Sequence, residues 1–460
     1  MADKFVSDEN LSDQNNDTVR REERILEFWR EHKIFEQSIN RPASAEPVGE
    51  FVFYDGPPFA TGQPHFGHLL PTSLKDAVPR YQTMRGRRVR RRWGWDCHGL
   101  PIENLVEKEL GLVSKKDIEK LGIAEFNRAA RASVLRYAED WKKIIPRLGR
   151  WVDMDNDYRT MDTSYTESVW WVFRQLWEKG LVYEGRKAMH LCPRCETTLA
   201  NFEVNQGYKD VTDISIYVTL PLVTDPRTSL VIWTTTAWTL PGNVAVAVHP
   251  ELIYAWARLE NHETLIVAKS KLAEVLGATT YEVVKETTGA DLVGLRYQPL
   301  FSYYSEQVNL PQRDAGWQIY ADPFVSDVEG TGLVHLAPAF GEDDWRLGEL
   351  HNLPFVQHVG RDGRFRPEVS DFAGQLVKPK DDPQATDVLL IKYLATAGRL
   401  FGKKKITHSY PHCWRCDTPL LNYAASSWFV KVTALRAALE EANAKINWVP
   451  GHLRAGRFGK

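Results

Sequence analysis

Cysteine is scarce in this chain, with five residues in 460. So few thiols, with no apolar leader at the N-terminus, make a disulfide framework the weakest reading of them. No stretch approaches the roughly 18 consecutive apolar residues of a membrane span. A soluble, cytoplasmic protein is expected. An excess of charge of one sign is missing too: 58 Lys plus Arg stand against 60 Asp plus Glu, a net charge of −2. Global charge therefore neither indicates nor excludes a nucleic-acid partner, and local clusters must decide. There is no G-x-G-x-x-G fingerprint and no Walker lysine, so a dinucleotide or P-loop site has little support. The length allows about three domains, with a core large enough to need no external staple.

Four of the five cysteines form a repeat. Cys192-Pro-Arg-Cys195 returns as Cys413-Trp-Arg-Cys416, and the ten-residue stretches that begin there share six identities. Two matching half-sites suggest one four-sulfur zinc site, because a two-residue spacer lets one tight turn aim both thiolates at one ion. Compact zinc ribbons separate their pairs by about 15–20 residues; here 217 intervene. A large insert therefore leaves and rejoins at a metal-stapled neck. The alternatives are ordinary buried or redox thiols, or two sites completed by His190 and His412. Cys97 reads as a small packed side chain.

Residues 1–17 are polar and lack apolar periodicity, which predicts a mobile tail. Structure is expected from Thr18, where Ile25, Leu26, Phe28, Trp29 and Ile34 trace an amphipathic helix. Phe51–Tyr54 reads as a short strand, followed by a Gly/Pro-dense turn, Asp55 to His68, and a helix over Leu69–Thr83. A strand, turn and helix of this kind make a nucleotide-binding unit. His65 and His68 stand at the helix start, where imidazoles and free N–H groups at a positive helix end can hold phosphate oxygens. Histidine is common at helix starts in any case. A second strand, Arg90–Trp95, leads through Asp96 into another helix, and an acid at such a strand end could bind an ammonium. Helical patterns continue through Ser133–Ile145 and Tyr165–Glu178.

Beyond the first cysteine pair the texture turns to β. Ile214–Leu220, Leu230–Thr236, Val244–Val248, Tyr254–Leu259, Thr264–Ala268, Tyr281–Val284 and Trp317–Tyr320 are short, β-branched or aromatic, and bounded by turn residues. The insert is thus expected to be its own mostly β domain of about 200 residues. Ser426–Val432 resumes an apolar run. Arg85, Arg87, Arg88, Arg90, Arg91 and Arg92 crowd together; a solvated basic face is the default reading, and contact with an RNA backbone the alternative. Sixteen Trp point to large apolar or stacking surfaces.

Four elements stand in order: His65-Phe-Gly-His68, Gly94-Trp-Asp-Cys-His-Gly-Leu-Pro-Ile-Glu103, Trp233-Thr-Thr-Thr-Ala-Trp-Thr-Leu-Pro-Gly-Asn243, and Gly330-Thr-Gly-Leu-Val-His-Leu-Ala-Pro-Ala-Phe-Gly-Glu-Asp-Asp344. Together they closely resemble the isoleucyl-tRNA synthetases, class I aminoacyl-tRNA synthetases, from about Thr18 to Lys460. The resemblance implies an α/β fold: the first half of a Rossmann-like parallel sheet, interrupted by a mostly β editing domain on a zinc-stapled neck. Its expected division is a tail over 1–17, a helical segment over 18–50, the catalytic domain's first half over 51–189, neck strands over 190–204 and 406–425, the editing domain over 205–405, and a return to the catalytic domain over 426–460.

The resemblance also implies roles. Isoleucine would be activated with ATP and Mg2+ and transferred to tRNA(Ile), by positioning and charge stabilisation rather than a covalent nucleophile. Pro58, His65, Gly67 and His68 would hold ATP; Gly56, Pro57 and Asp96 would line the amino-acid pocket, with Asp96 on the ammonium. Thr234, Thr235, Thr236 and Asn243 would hold a misacylated tRNA end and the attacking water, and His335 and Asp344 would bound the small side-chain pocket. Structural zinc would sit on Cys192, Cys195, Cys413 and Cys416, and a monomer is expected. Taken singly, each has an ordinary reading: β-propensity for the threonines, core packing for His335, a helix N-cap for Asp344. Ala237 stands where Pro is commoner, and Asp55 and Phe59 depart from the Glu and Thr of some relatives. The Lys-Met-Ser-Lys-Ser loop and a helical anticodon-binding domain are absent, so the chain is expected to be an N-terminal half unable to form isoleucyl-adenylate alone. A stand-alone editing hydrolase and a zinc-bearing RNA-binding relic are the rival readings.

Overall fold

The computed structural model describes residues 17–40, 49–59, 61–134 and 136–459. The expected tail lies outside these, apart from Asp17, which opens the first helix, Asp17–Glu31. The chain forms two compact units, one up to Glu178 and one from Lys179.

In the first unit, strands Arg92–Trp95 and Asp153–Arg159 pair in parallel. Parallel pairing needs a long crossover, supplied by helices Leu100–Leu110, Lys115–Leu121, Ile123–Val134 and Ala138–Arg147. The last two replace the single helix expected over Ser133–Ile145, because apolar periodicity runs on across the break. Trp93, Trp95 and Trp141 form the core with Ile102, Val134 and Ile145, their rings 5.5–5.8 Å apart. Gly94 permits this pairing, since a Cβ there would lie 2.2 Å from the Tyr158 ring.

Phe51–Tyr54 departs from expectation. The segment is extended but forms no ladder; isolated parallel bridges tie Glu50 to Arg88 and Phe59 to Asp96, and Phe51 N–H donates to Arg88 O at 2.9 Å. Pro57 and Pro58 have no N–H to extend the pairing. The helix after it is longer than expected, Phe66–Met84. Within the arginine cluster Arg91 is buried, donating to Pro79 O at 3.0 Å, so that guanidinium belongs to the packing and not to a basic surface.

The second unit is built on a six-stranded sheet in the order Tyr281–Thr288, Ile253–Leu259, Thr264–Ala268, Thr228–Thr234, Tyr208–Pro221, Leu400–Pro411. A three-stranded sheet, Ile319–Ala321, Ala245–Val248 and Leu333–Leu336, shares one core with it. All seven strands expected after the first cysteine pair are present, Thr264–Ala268 with the expected bounds and the other six shifted at one or both ends. The two legs of the insert, Tyr208–Pro221 and Leu400–Pro411, pair antiparallel from Tyr208↔Pro411 onward. Below them Val182–Cys192 pairs with Leu421–Val430.

A buried ion cluster ties the legs to helix Ala385–Thr396. Lys378 Nζ lies 3.1 Å from Asp213 and 3.0 Å from Asp387, and His408 Nε2 lies 3.1 Å from Asp213. Burial dominates the Asp387 carboxyl and raises its pKa to about 6. Lys378→Met leaves two buried carboxylates without their cation, which costs about 3–5 kcal/mol. Urea unfolding should show that loss; a change below about 1 kcal/mol would contradict the assignment.

Candidate functional site

The two cysteine turns share a backbone as well as a sequence. The residue after each second cysteine is left-handed, Glu196 at φ 50° and Asp417 at φ 61°. The four Sγ atoms lie within 4.8 Å of one another, with Cys192–Cys416 at 3.4 Å and Cys195–Cys416 at 3.7 Å. A tetrahedron with about 2.3 Å metal–sulfur bonds has edges of about 3.8 Å. All four sulfurs are free of disulfides, and Leu199, Val204 and Leu420 pack around them. His190 and His412 are not in the cluster. The donor set therefore fits one metal ion. At Gly207 the legs touch: a Cβ would lie 1.9 Å from His412 O, and His412 N–H donates to Gly207 O at 2.8 Å.

Strand Thr228–Thr234 ends where the threonine run begins. The run turns into the 3-10 helix Ala237–Gly242, wrapping hydroxyls around a cavity of about 350 Å³. Thr234, Thr235, Thr236, Thr239, His335 and Asp344 all line it, with Trp233, Gly330 and Phe340. Thr236 N–H donates to Thr234 Oγ1 at 3.1 Å, and the two hydroxyls are 3.2 Å apart. Thr239 Oγ1 donates to Thr236 O at 2.8 Å and lies 3.0 Å from His335 Nε2. Because the Thr239 proton is committed, its oxygen accepts from His335, which places that ring's proton on Nε2. Burial lowers the His335 pKa to about 4, so the ring is neutral near pH 7.

Asp344 is neither an N-cap nor solvated. It sits in the first turn of helix Glu342–His351, whose N-cap is Gly341, and its Oδ2 accepts from Ala337 N–H at 2.8 Å. Burial, opposed by the backbone N–H groups of Ala337 and of Asp344 itself, raises its pKa to about 7. A buried carboxyl so placed favours a cation beside it.

A second cavity, about 220 Å³, lies in the first unit against Asp55, Gly56, Pro58, Gly67, His68, Lys75 and Trp93. His65 caps helix Phe66–Met84: its Nδ1 accepts from Gly67 N–H at 3.1 Å, while its own N–H donates to His68 Nδ1 at 3.2 Å. In the neutral rings both protons therefore sit on Nε2, as donors. Burial, then His65 and Lys75, hold the His68 pKa below the usual histidine range. Asp55 is gripped by Lys75 and by Arg150 at 2.5 Å. Asp96 N–H donates to Pro58 O at 2.9 Å, which joins the two strand ends.

Residues 24–460 match the profile of the tRNA synthetases class I (I, L, M and V). The chain belongs to that family. It is 47% identical over 476 residues to the isoleucine–tRNA ligase of Treponema denticola, 46% over 448 to that of Bdellovibrio bacteriovorus, and 42% over 476 to the cytoplasmic one of Arabidopsis thaliana. These matches cover 96%, 96% and 95% of the chain, which spans 42%, 41% and 39% of the relatives' own length. Among the described residues, no helix of this synthetase chain is long and apolar enough to cross a membrane.

The two cavities bring together many of the residues singled out in the sequence of this synthetase chain, and a few stand outside them. Asn243 is buried away from the threonine cavity, its amide donating to Ala245 O at 3.0 Å and its carbonyl accepting from Tyr297 OH at 2.7 Å. Both polar ends are used in packing, so it serves the cavity's backbone rather than its interior. Pro57, His65 and Asp96 stand beside the second cavity rather than lining it. Thr239 was missed, although it lies in the same eleven-residue stretch; only the 3-10 turn brings its hydroxyl back to Thr236 and His335.

The Asp344 shift has a consequence for stability. Its folded pKa, about 7, exceeds the ordinary 3.8, so the folded state holds the proton longer and stability falls as pH rises from about 4 to 7. Asp344→Asn should be more stable than wild type by on the order of 2–4 kcal/mol at pH 8, with the gain vanishing near pH 4. Thermal melts across that range check it; a pH-independent difference contradicts it.

Proposed function

We propose that this chain is the N-terminal part of an isoleucine–tRNA ligase and that the threonine-lined cavity is its editing site, which hydrolyses valyl-tRNA(Ile). The observation that carries the reading is the meeting of Thr234, Thr236, Thr239, His335 and Asp344 around one cavity. Asp344 takes the ammonium of the misattached valine. The threonine hydroxyls orient the ester and the attacking water, and His335, donating from Nε2 to Thr239, holds that hydroxyl in place. Water adds to the ester carbonyl, the bond to the ribose oxygen breaks, and valine leaves while the ribose regains its hydroxyl proton. No covalent intermediate is needed. The reading requires the cavity to exclude the extra methylene of isoleucine once the ester is seated. Such a second sieve answers a general limit: one methylene separates substrates by only about 1–3 kcal/mol, and isoleucine against valine is the case from which that limit is known.

In the first unit, His65 and His68 donate from Nε2 to ATP phosphates, with Gly67 giving close approach and Mg2+ entering with the nucleotide. Gly56, Pro57, Pro58 and Asp96 receive isoleucine, Asp96 on its ammonium. Zinc is held by Cys192, Cys195, Cys413 and Cys416, where its chemistry is structural. Incubating the purified chain with valyl-tRNA(Ile) and isoleucyl-tRNA(Ile) tests the reading. Valine should be released at least about 10-fold faster than isoleucine; equal rates, or rates equal to buffer, contradict it.

A further inference from the structure

The carbonyl just before Thr239 lacks its 3-10 partner. In a 3-10 helix each carbonyl accepts from the amide three residues on, and three residues after Trp238 stands Pro241, which has no N–H to give. Trp238 is 2% exposed, so water has little access to that carbonyl, and an orphaned acceptor there would be costly. The donor comes from 120 residues away: His358 Nε2 lies 2.9 Å from Trp238 O. A carbonyl only accepts, so the ring carries its proton on Nε2. Burial lowers the His358 pKa to about 3, which keeps the ring neutral near pH 7.

The ring is fully buried and packs against two segments that build the threonine-lined cavity. Against it lies Gly242, at the end of the 3-10 helix, where a Cβ would come within 2.3 Å of His358 Nδ1. Against it also lies Phe340, edge-on at 4.6 Å; Phe340 lines the cavity and meets Trp238 edge-on at 5.3 Å. His358 is not itself among the lining residues. Thr239, next after Trp238, holds its hydroxyl 2.8 Å from Thr236 O and 3.0 Å from His335 Nε2. A shift of the Trp238 peptide therefore shifts the meeting of Thr239 with His335.

We propose that His358 is a positioning residue of this cavity: its hydrogen bond to the Trp238 carbonyl replaces the amide that Pro241 lacks, and so sets where Thr239 meets His335 and where Phe340 stands. It touches no substrate. The inference rests on the reading of the cavity as the editing site and adds to it a residue outside the four stretches that carry the family resemblance.

The test compares wild type, His358→Leu, His358→Asn and His358→Gln in hydrolysis of valyl-tRNA(Ile) and isoleucyl-tRNA(Ile), with circular dichroism melts beside them. His358→Leu should lower kcat for valine release at least about 10-fold, since a misplacement of about 1 Å can cost about 100-fold. KM should stay within about twofold, because the ring lies behind the cavity and not in it. His358→Asn, too short to reach the carbonyl, should fall with it. His358→Gln, whose longer side chain brings an amide N–H toward the Nε2 position, should keep kcat within about threefold of wild type. The Asn and Gln side chains are alike in polarity, so their comparison decides the matter even where His358→Leu melts below the assay temperature. Should wild type release valine and isoleucine equally, the editing reading fails and this inference with it. A selective wild type together with unchanged kcat in His358→Leu and His358→Asn, with His358→Gln as slow as His358→Asn, or with effects confined to KM, would overturn the positioning role alone.

Discussion

Asp344→Ala is expected to slow valine release from valyl-tRNA(Ile) by about 30- to 5,000-fold. Truncating one partner of a buried, hydrogen-bonded charge pair costs about 2–5 kcal/mol, and each 1.36 kcal/mol is a factor of ten in rate. The geometry concentrates that loss at one atom group. His335 is neutral and bonded to Thr239, and the threonine hydroxyls are bonded to one another, so none of them offers a substitute negative charge. A pH profile separates this role from a merely structural one. Because the Asp344 pKa is about 7, kcat/KM for valyl-tRNA should climb as the carboxylate forms through that pH. Asp344→Asn should abolish the inflection while folding at least as stably. A variant that kept its rate within threefold would remove Asp344 from the site.

The second large effect is expected on metal removal. Purified chain should contain about one zinc per polypeptide, and prolonged chelation should lower its melting temperature by about 10 °C or more. Structural zinc contributes about 10–16 kcal/mol in small zinc-finger peptides. Here the ladders of Val182–Cys192 with Leu421–Val430 and of the two insert legs also hold the neck, so part of that contribution survives without the ion. A residual loss of about 5 kcal/mol corresponds to about 10–20 °C for a unit of this size. Cys413→Ser should reproduce the chelated state, because one oxygen breaks the four-thiolate set. Metal-free protein with an unshifted melt would show that the sulfurs only pack.

How much of this could be read beforehand depended on how local each signal was. The four-cysteine cluster was legible because a ten-residue pattern occurs twice, and repetition suggests the partners without the fold. The insert's strands were legible because Leu230–Thr234 and Thr264–Ala268 carry β-branched runs between turns. Thr234, Thr236, His335 and Asp344 came from motif order, and the fold gathers them around one cavity. Asn243 was placed with them by the family resemblance, whereas Tyr297, far away in the chain, decides where its side chain bonds. Thr239 depended on one helical turn, and the Lys378–Asp213–Asp387 cluster on three separated segments with no shared pattern. The irregularity of Phe51–Tyr54 was equally hidden, since a short apolar run predicts a strand but says nothing of whether a neighbour lies on both sides.

The most direct test of the central claim is a crystal structure of the chain soaked with a non-hydrolysable valyl-adenosine amide. The account predicts the valyl group inside the threonine-lined cavity, its ammonium about 3 Å from the Asp344 carboxylate and its carbonyl beside the Thr234–Thr236 hydroxyls. A valyl group bound elsewhere, or a cavity left empty at saturating ligand, would contradict it.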